Sequence, residues 1–134
     1  MFDSLRAAVL DTHVWIWISA GDPRAAAAKS FHGQAIVSAI SVWEVCMLQA
    51  KNRLHLLPDL DTWISTNISA PVELAPISPS ICTSSVRLPD LHGDAADRLI
   101  VATAIVLGAP LLTADHHIIE WNKIHARLQI IPLE

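Results

Sequence analysis

The chain has 134 residues, 52% of them hydrophobic and 16% charged, a balance that excludes wholesale disorder and suffices for a single domain spanning 1–134 with a buried core. Nine Lys and Arg against thirteen Asp and Glu give a formal charge of -4, which argues against gripping nucleic acid through bulk positive charge but leaves room for a carboxylate site compensated by a divalent cation. Cys46 and Cys82 are the only cysteines, so neither a disulfide framework nor a four-cysteine zinc cluster is available, and a reducing compartment is expected.

The opening Met1 to Arg6 mixes acid and base ahead of a short apolar run, unlike an export signal. Ala7 to Leu10 is too brief for a helix and reads as a buried strand ending at Asp11. A first helix is expected from about Trp15 to Ser19, broken at Gly21-Asp22-Pro23, with Pro23 opening an alanine-rich helix over Arg24 to Phe31. A second strand covers Ala35 to Ser38. The next helix runs through Lys51, with Ser41 and Glu44 at capping-box spacing. A helix over Leu60 to Ile68, a strand around Val72 to Ala75 and a helix from Pro79 to about Arg87 follow.

Gly93 and Asp94 introduce the clearest helix, Ala95 to Leu107, stopped by Gly108. Pro110 to Thr113 is a fourth strand, Asp115 opens a helix through about Trp121, and Leu128 to Ile131 is a last strand. Short apolar strands alternating with helices predict an α/β fold, a three-layer α/β/α sandwich around a mostly parallel sheet. The apolar stretch Leu99 to Leu112 is interrupted by Gly108 and Pro110 and is too short to cross a bilayer, so a soluble, cytoplasmic protein with no membrane partner is expected. Leu99 to Leu107 is apolar around nearly its whole circumference, which predicts a second contact such as a homodimer partner. Of the tryptophans, Trp43 and Trp63 are assigned to packing.

The chemistry rests on acids. Asp11 and Asp115 each follow an apolar strand, at the sheet edge where ligands collect in open α/β folds. Glu44 sits about one helical turn beyond the second strand, and Asp94 and Asp97 share one face at a helix start. Carboxylates crowded at one sheet end repel one another, and oxygen ligands without clustered Cys or paired His favour magnesium or manganese as the compensating ion. Each acid also has a plainer role: Asp11, Asp94 and Asp115 as helix caps, Glu44 as the partner of Ser41. His13 could ligate or assist proton transfer, Ser38 and Thr113 could orient a ligand or a metal-bound water, and Arg98 could pair with a carboxylate or touch phosphate.

The stretches Leu10-Asp11-Thr12-His13-Val14-Trp15-Ile16-Trp17, Ser38-Ala39-Ile40-Ser41-Val42-Trp43-Glu44, Gly93-Asp94-Ala95-Ala96-Asp97-Arg98-Leu99-Ile100 and Leu112-Thr113-Ala114-Asp115 together resemble, in order and separation, the four acidic motifs of PIN-domain proteins of the VapC toxin type. Ala95 stands where that family commonly has proline; the acids are intact. The resemblance implies a PIN-like fold and a metal-dependent endoribonuclease serving as the toxin of a toxin-antitoxin pair, neutralised by a small cognate antitoxin of the VapB type. By motif, the acidic quartet falls on Asp11, Glu44, Asp97 and Asp115, holding one or two Mg2+ or Mn2+ ions, with Asp94 as an auxiliary ligand and His13, Ser38 and Thr113 in support. Nearby Lys, Arg and backbone groups would take neighbouring phosphates of the RNA. A phosphotransferase of another α/β family is disfavoured by the lack of a nucleophile motif. The remaining alternative is a noncatalytic protein-interaction module on the same fold.

Overall fold

The computed structural model describes residues 7–91 and 93–133; the opening Met1 to Arg6, compared above with an export signal, lies outside the described residues. In chain order the elements are β1 (Ala7–Leu10), α1 (Thr12–Ala20), a 3-10 helix (Pro23–Ser30), β2 (Gln34–Ser38), α2 (Ala39–Ala50), α3 (Leu60–Asn67), β3 (Glu73–Ala75), α4 (Pro79–Val86), α5 (Ala95–Leu107), β4 (Leu111–Thr113), α6 (His116–His125) and β5 (Ile130–Pro132). The five strands lie in the order β3-β2-β1-β4-β5, and each neighbouring pair is parallel.

Period-two alternation divides the apolar residues between two cores. Ala8, Leu10, Val37 and Leu112 face one side, with Val14 and Trp15 of α1 and Val45 of α2. Val9, Ile36 and Leu111 face the other, with Ile100, Val101 and Ala104 of α5 and Ile118 and Trp121 of α6. Fully burying each of the Val, Leu and Ile side chains contributes roughly 1.5–3 kcal/mol. A strand covered on both faces must be apolar at consecutive positions, which is why β1 and β4 read as unbroken runs. The expected three-layer α/β/α architecture is therefore the one observed.

The chain lays down β1, adds β2 and β3 on one side, then crosses back to place β4 and β5 on the other. Strand order reverses at β1, and the crevice at the carboxyl ends of β1 and β4 opens at that reversal. Val9 fixes the register, pairing with Ile36 on β2 and Leu111 on β4.

Three local expectations need correction. Helix α1 begins at Thr12, not Trp15, because the Asp11 side chain accepts from the Thr12 amide and caps it at once. The alanine-rich segment is 3-10, not α-helical: Ala25 and Ala28 are buried, and an interval of three matches three residues per turn. Ser41 does not cap α2. Ser38 does, accepting from the Ile40 amide, while Ser41 lies buried inside the helix, so no capping box joins it to Glu44. Helix α5 packs within the chain against α4, α2 and β1. Val106 and Leu107 remain exposed near its end. Among the described residues no helix is long and apolar enough to cross a membrane.

Candidate active site

At the crevice lies a cavity of about 300 Å³ lined by Asp11, His13, Val14, Trp17, Glu44, Asp94, Asp97, Ala114 and Asp115. All five acids singled out in the sequence line it, and among the described residues no Lys or Arg does. Asp11 comes from the end of β1, Asp115 from the end of β4, Glu44 from the second turn of α2, and Asp94 and Asp97 from the start of α5.

Asp11, Asp94 and Asp115 are each aimed by the helix that follows. Asp11 Oδ1 accepts from the Thr12 amide at 2.8 Å, Asp94 Oδ1 from the Asp97 amide at 2.9 Å and Asp115 Oδ1 from the His117 amide at 2.8 Å. A cap occupies only part of a carboxylate's four or so acceptor positions, so the capping role and the site role coexist in one side chain. The N-terminal partial positive charges of α1, α5 and α6 also offset some of the negative charge gathered here.

Two buried threonines tie the acids together. Thr113 Oγ1 donates to Asp11 Oδ2 at 2.7 Å and accepts from the Asp115 amide at 3.0 Å, linking two strand ends 102 positions apart. Thr12 Oγ1 donates to Glu44 Oε1 and lies 2.8 Å from Ser41 Oγ. Sequence reasoning finds Thr113 but misses Thr12. A signal for it exists, a hydroxyl beside the first acid and inside the first motif. Ser41, read above as a cap, instead braces Thr12.

The fit beside Asp97 is close. A Cβ on Gly93 would lie 2.9 Å from Asp97 Cβ and 3.0 Å from Asp97 Oδ2. Gly93 is therefore required by the approach of this carboxylate.

Electrostatics bear the marks of crowding. Partial burial, then the charges of Asp94, Asp11, Asp115 and Glu44, push the Asp97 carboxyl up to about 7. Burial also raises Asp11, against the opposing hydrogen bonds from Thr113 and Thr12. Glu44 is raised chiefly by burial, opposed by Thr12 and reinforced by Asp94 and Asp11. Among the described residues no group of three or more His, Cys, Asp or Glu side chains stands close enough together to hold a metal ion, and carboxylates of like charge repel one another. The donor set, all oxygen apart from the exposed His13, suits a hard divalent cation.

The supporting residues divide. His13 lines the cavity. Ser38 is fully buried as the α2 cap and is not among the lining residues. Arg98 pairs with no carboxylate among the described residues: its guanidinium donates to the carbonyls of Ser85, Leu88 and Leu91, pinning the segment ahead of α5. Trp63 packs against the core beside Trp15, whereas Trp43, also assigned to packing, is 55% exposed.

The comparisons with known proteins agree with this architecture. The PIN domain matches residues 8–124. Ribonuclease VapC22 of Mycobacterium tuberculosis is 37% identical over 118 residues, covering 82% of this chain and 88% of that protein. A toxin-antitoxin complex from Klebsiella pneumoniae superimposes with a TM-score of 0.65 at 21% identity, over 95% of this chain and 98% of that one. VapBC2 from Rickettsia felis bound to a DNA fragment from their promoter gives 0.69 at 15% identity, over 94% and 98%.

Proposed function

The chain belongs to the PIN domain family, and on that footing we propose that it is an endoribonuclease, the toxin of a toxin-antitoxin pair, which hydrolyses RNA phosphodiesters at the acidic cavity. The observation that carries this reading is the meeting of Asp11, Glu44, Asp94, Asp97 and Asp115 around one cavity with no Lys or Arg among the described lining residues. PIN-domain ribonucleases are generally dependent on divalent metal ions. Here Asp11, Glu44, Asp97 and Asp115, with Asp94 in support, would hold Mg2+ or Mn2+. The ion, when bound, polarises the scissile phosphate and lowers the pKa of the attacking water.

The chain's own residues prepare that site. Thr113 and the Thr12 amide fix both oxygens of Asp11, and Thr12 turns Glu44 toward the same space. Such prior orientation lets the carboxylates act without reorganising during the reaction. Val14, Trp17 and Ala114 supply apolar wall between them, lowering local water content and strengthening every charge interaction inside.

The partners that follow are an RNA substrate and a small antitoxin of the VapB type that covers the cavity. The place of action is the cytoplasm. Support for the antitoxin comes from the solved relatives, which are toxin-antitoxin assemblies.

The test is cleavage of a panel of structured and single-stranded RNAs by the purified, antitoxin-free chain in Mg2+ or Mn2+, against the same reactions in chelator. The expected result is cleavage only with the ion. A folded protein that neither binds a divalent ion nor cuts any RNA would leave the noncatalytic interaction module as the better reading.

A further inference from the structure

A second cavity, of about 390 Å³, adjoins the first and shares Glu44 and Asp94 with it. Trp43, Met47, Lys51 and Arg53 also line it. Trp43 and Met47 lie four residues apart on α2 and Lys51, its C-cap, follows four later, so the three form one ridge along the helix beside Glu44. Trp43 is 55% exposed. Lys51 and Arg53 are both exposed, and among the described residues neither enters an ion pair.

These two cations contrast with others in the chain. Arg24 is paired with Asp22 and stacked on Trp17, Arg98 is committed to backbone carbonyls, and Lys123 is paired with Glu120. Two cations outside these pairings and an open indole face thus border the acidic cavity of a chain whose formal charge is -4.

From this continuity and charge complementarity we infer that the Trp43-Lys51-Arg53 groove is an RNA subsite. Trp43 stacks on an unpaired base next to the cleaved bond, and Lys51 and Arg53 hold the phosphates that follow it. Resting on the ribonuclease reading above, the inference adds the direction in which the strand leaves the cavity and a requirement that the nucleotide there be unstacked. An aromatic platform beside a cationic track is the usual means of holding single-stranded nucleic acid without reading its sequence.

The test uses the full chain carrying Asp97→Asn, so that RNA is bound without being cut. A fluorescein-labelled, mixed-sequence, single-stranded oligoribonucleotide is titrated by anisotropy over a series of salt concentrations. Trp43→Ala should weaken binding by about tenfold, within the range for loss of one stacked base, and Trp43→Phe should restore most of it. The double variant Lys51→Gln and Arg53→Gln should flatten the salt dependence by about 0.7 logarithmic units for each phosphate no longer held. Circular dichroism confirms folding, which these exposed positions are not expected to disturb.

Unchanged affinity and salt slope in all the variants, beside a parent that binds RNA and a wild type that cuts it, would overturn the subsite and leave the groove to a protein partner. Absence of both binding by the parent and cleavage by wild type would overturn the ribonuclease reading itself, and the subsite with it.

Discussion

At Asp11, Asp94 and Asp115 one carboxylate serves both a helix terminus and a shared cavity, so the two readings available from the sequence describe the same side chain. Asp97, which caps nothing, experiences the crowding most plainly. Its carboxyl ordinarily titrates at 3.8 and stands at about 7 in the fold. The protonated form is thus favoured by folding: this contribution is fully present below pH 3.8 and is lost as pH rises through about 7. Asp97→Asn should accordingly abolish cleavage yet stabilise the ion-free protein at pH 8. With solvent screening allowed for, the gain is about 1–2 kcal/mol, or roughly 3–6 °C in Tm by calorimetry, and it should vanish near pH 4. Thr113→Val should lower cleavage about 10- to 100-fold by freeing Asp11, with Thr113→Ser restoring it. It should also cost about 1–2 kcal/mol in urea unfolding, because Asp11 Oδ2 and the Asp115 amide lose their partner. The acids are legible in the sequence because each sits at the end of a strand or near the start of a helix. Thr12 is marked in the sequence only by its place beside the first acid, and its role emerges once α2 brings Ser41 and Glu44 against it.

At the scale of elements, the gathering of the acids depends on where helices start. α5 delivers Asp97 only because Gly93 leaves room beside it. Gly93→Ala should displace Asp97 by several tenths of an ångström, a loss of positioning that costs on the order of tenfold or more in cleavage rate. Far-ultraviolet circular dichroism should remain that of wild type, whereas a loss of helix signal would make the defect one of folding. Periodicity and punctuation locate the strands and helices to within a few residues, since buried strands must be apolar and Gly108, with its positive φ of 64°, ends α5 where a left-handed residue is needed. Starts are harder to read. A cap is a matter of which hydroxyl or carboxylate meets an amide, and Ser38 and Ser41 are equally eligible on paper. The 3-10 helix is equally hidden, because an alanine run satisfies an interval of three as readily as one of 3.6.

Across the whole molecule, a parallel sheet whose strand order reverses at β1 brings acids distant in sequence to one edge. The alternation of strands and helices makes the layers legible, while strand order is not, because no local pattern says on which side of β1 the chain returns. The charge concentrated at that edge should make stability respond to ions: Mn2+ should raise Tm at pH 8 in wild type and much less in Asp97→Asn, by binding linkage to the folded state alone. Asp11, Glu44, Asp97 and Asp115 are expected to act as one ion-binding centre. The most direct measurement is the electron paramagnetic resonance titration of Mn2+ into wild type and into Asp11→Asn, Glu44→Gln, Asp97→Asn and Asp115→Asn, each checked for folding. A common loss of affinity, at least about tenfold in every single variant, is the predicted result; Mn2+ affinity unchanged by neutralising these acids would contradict it.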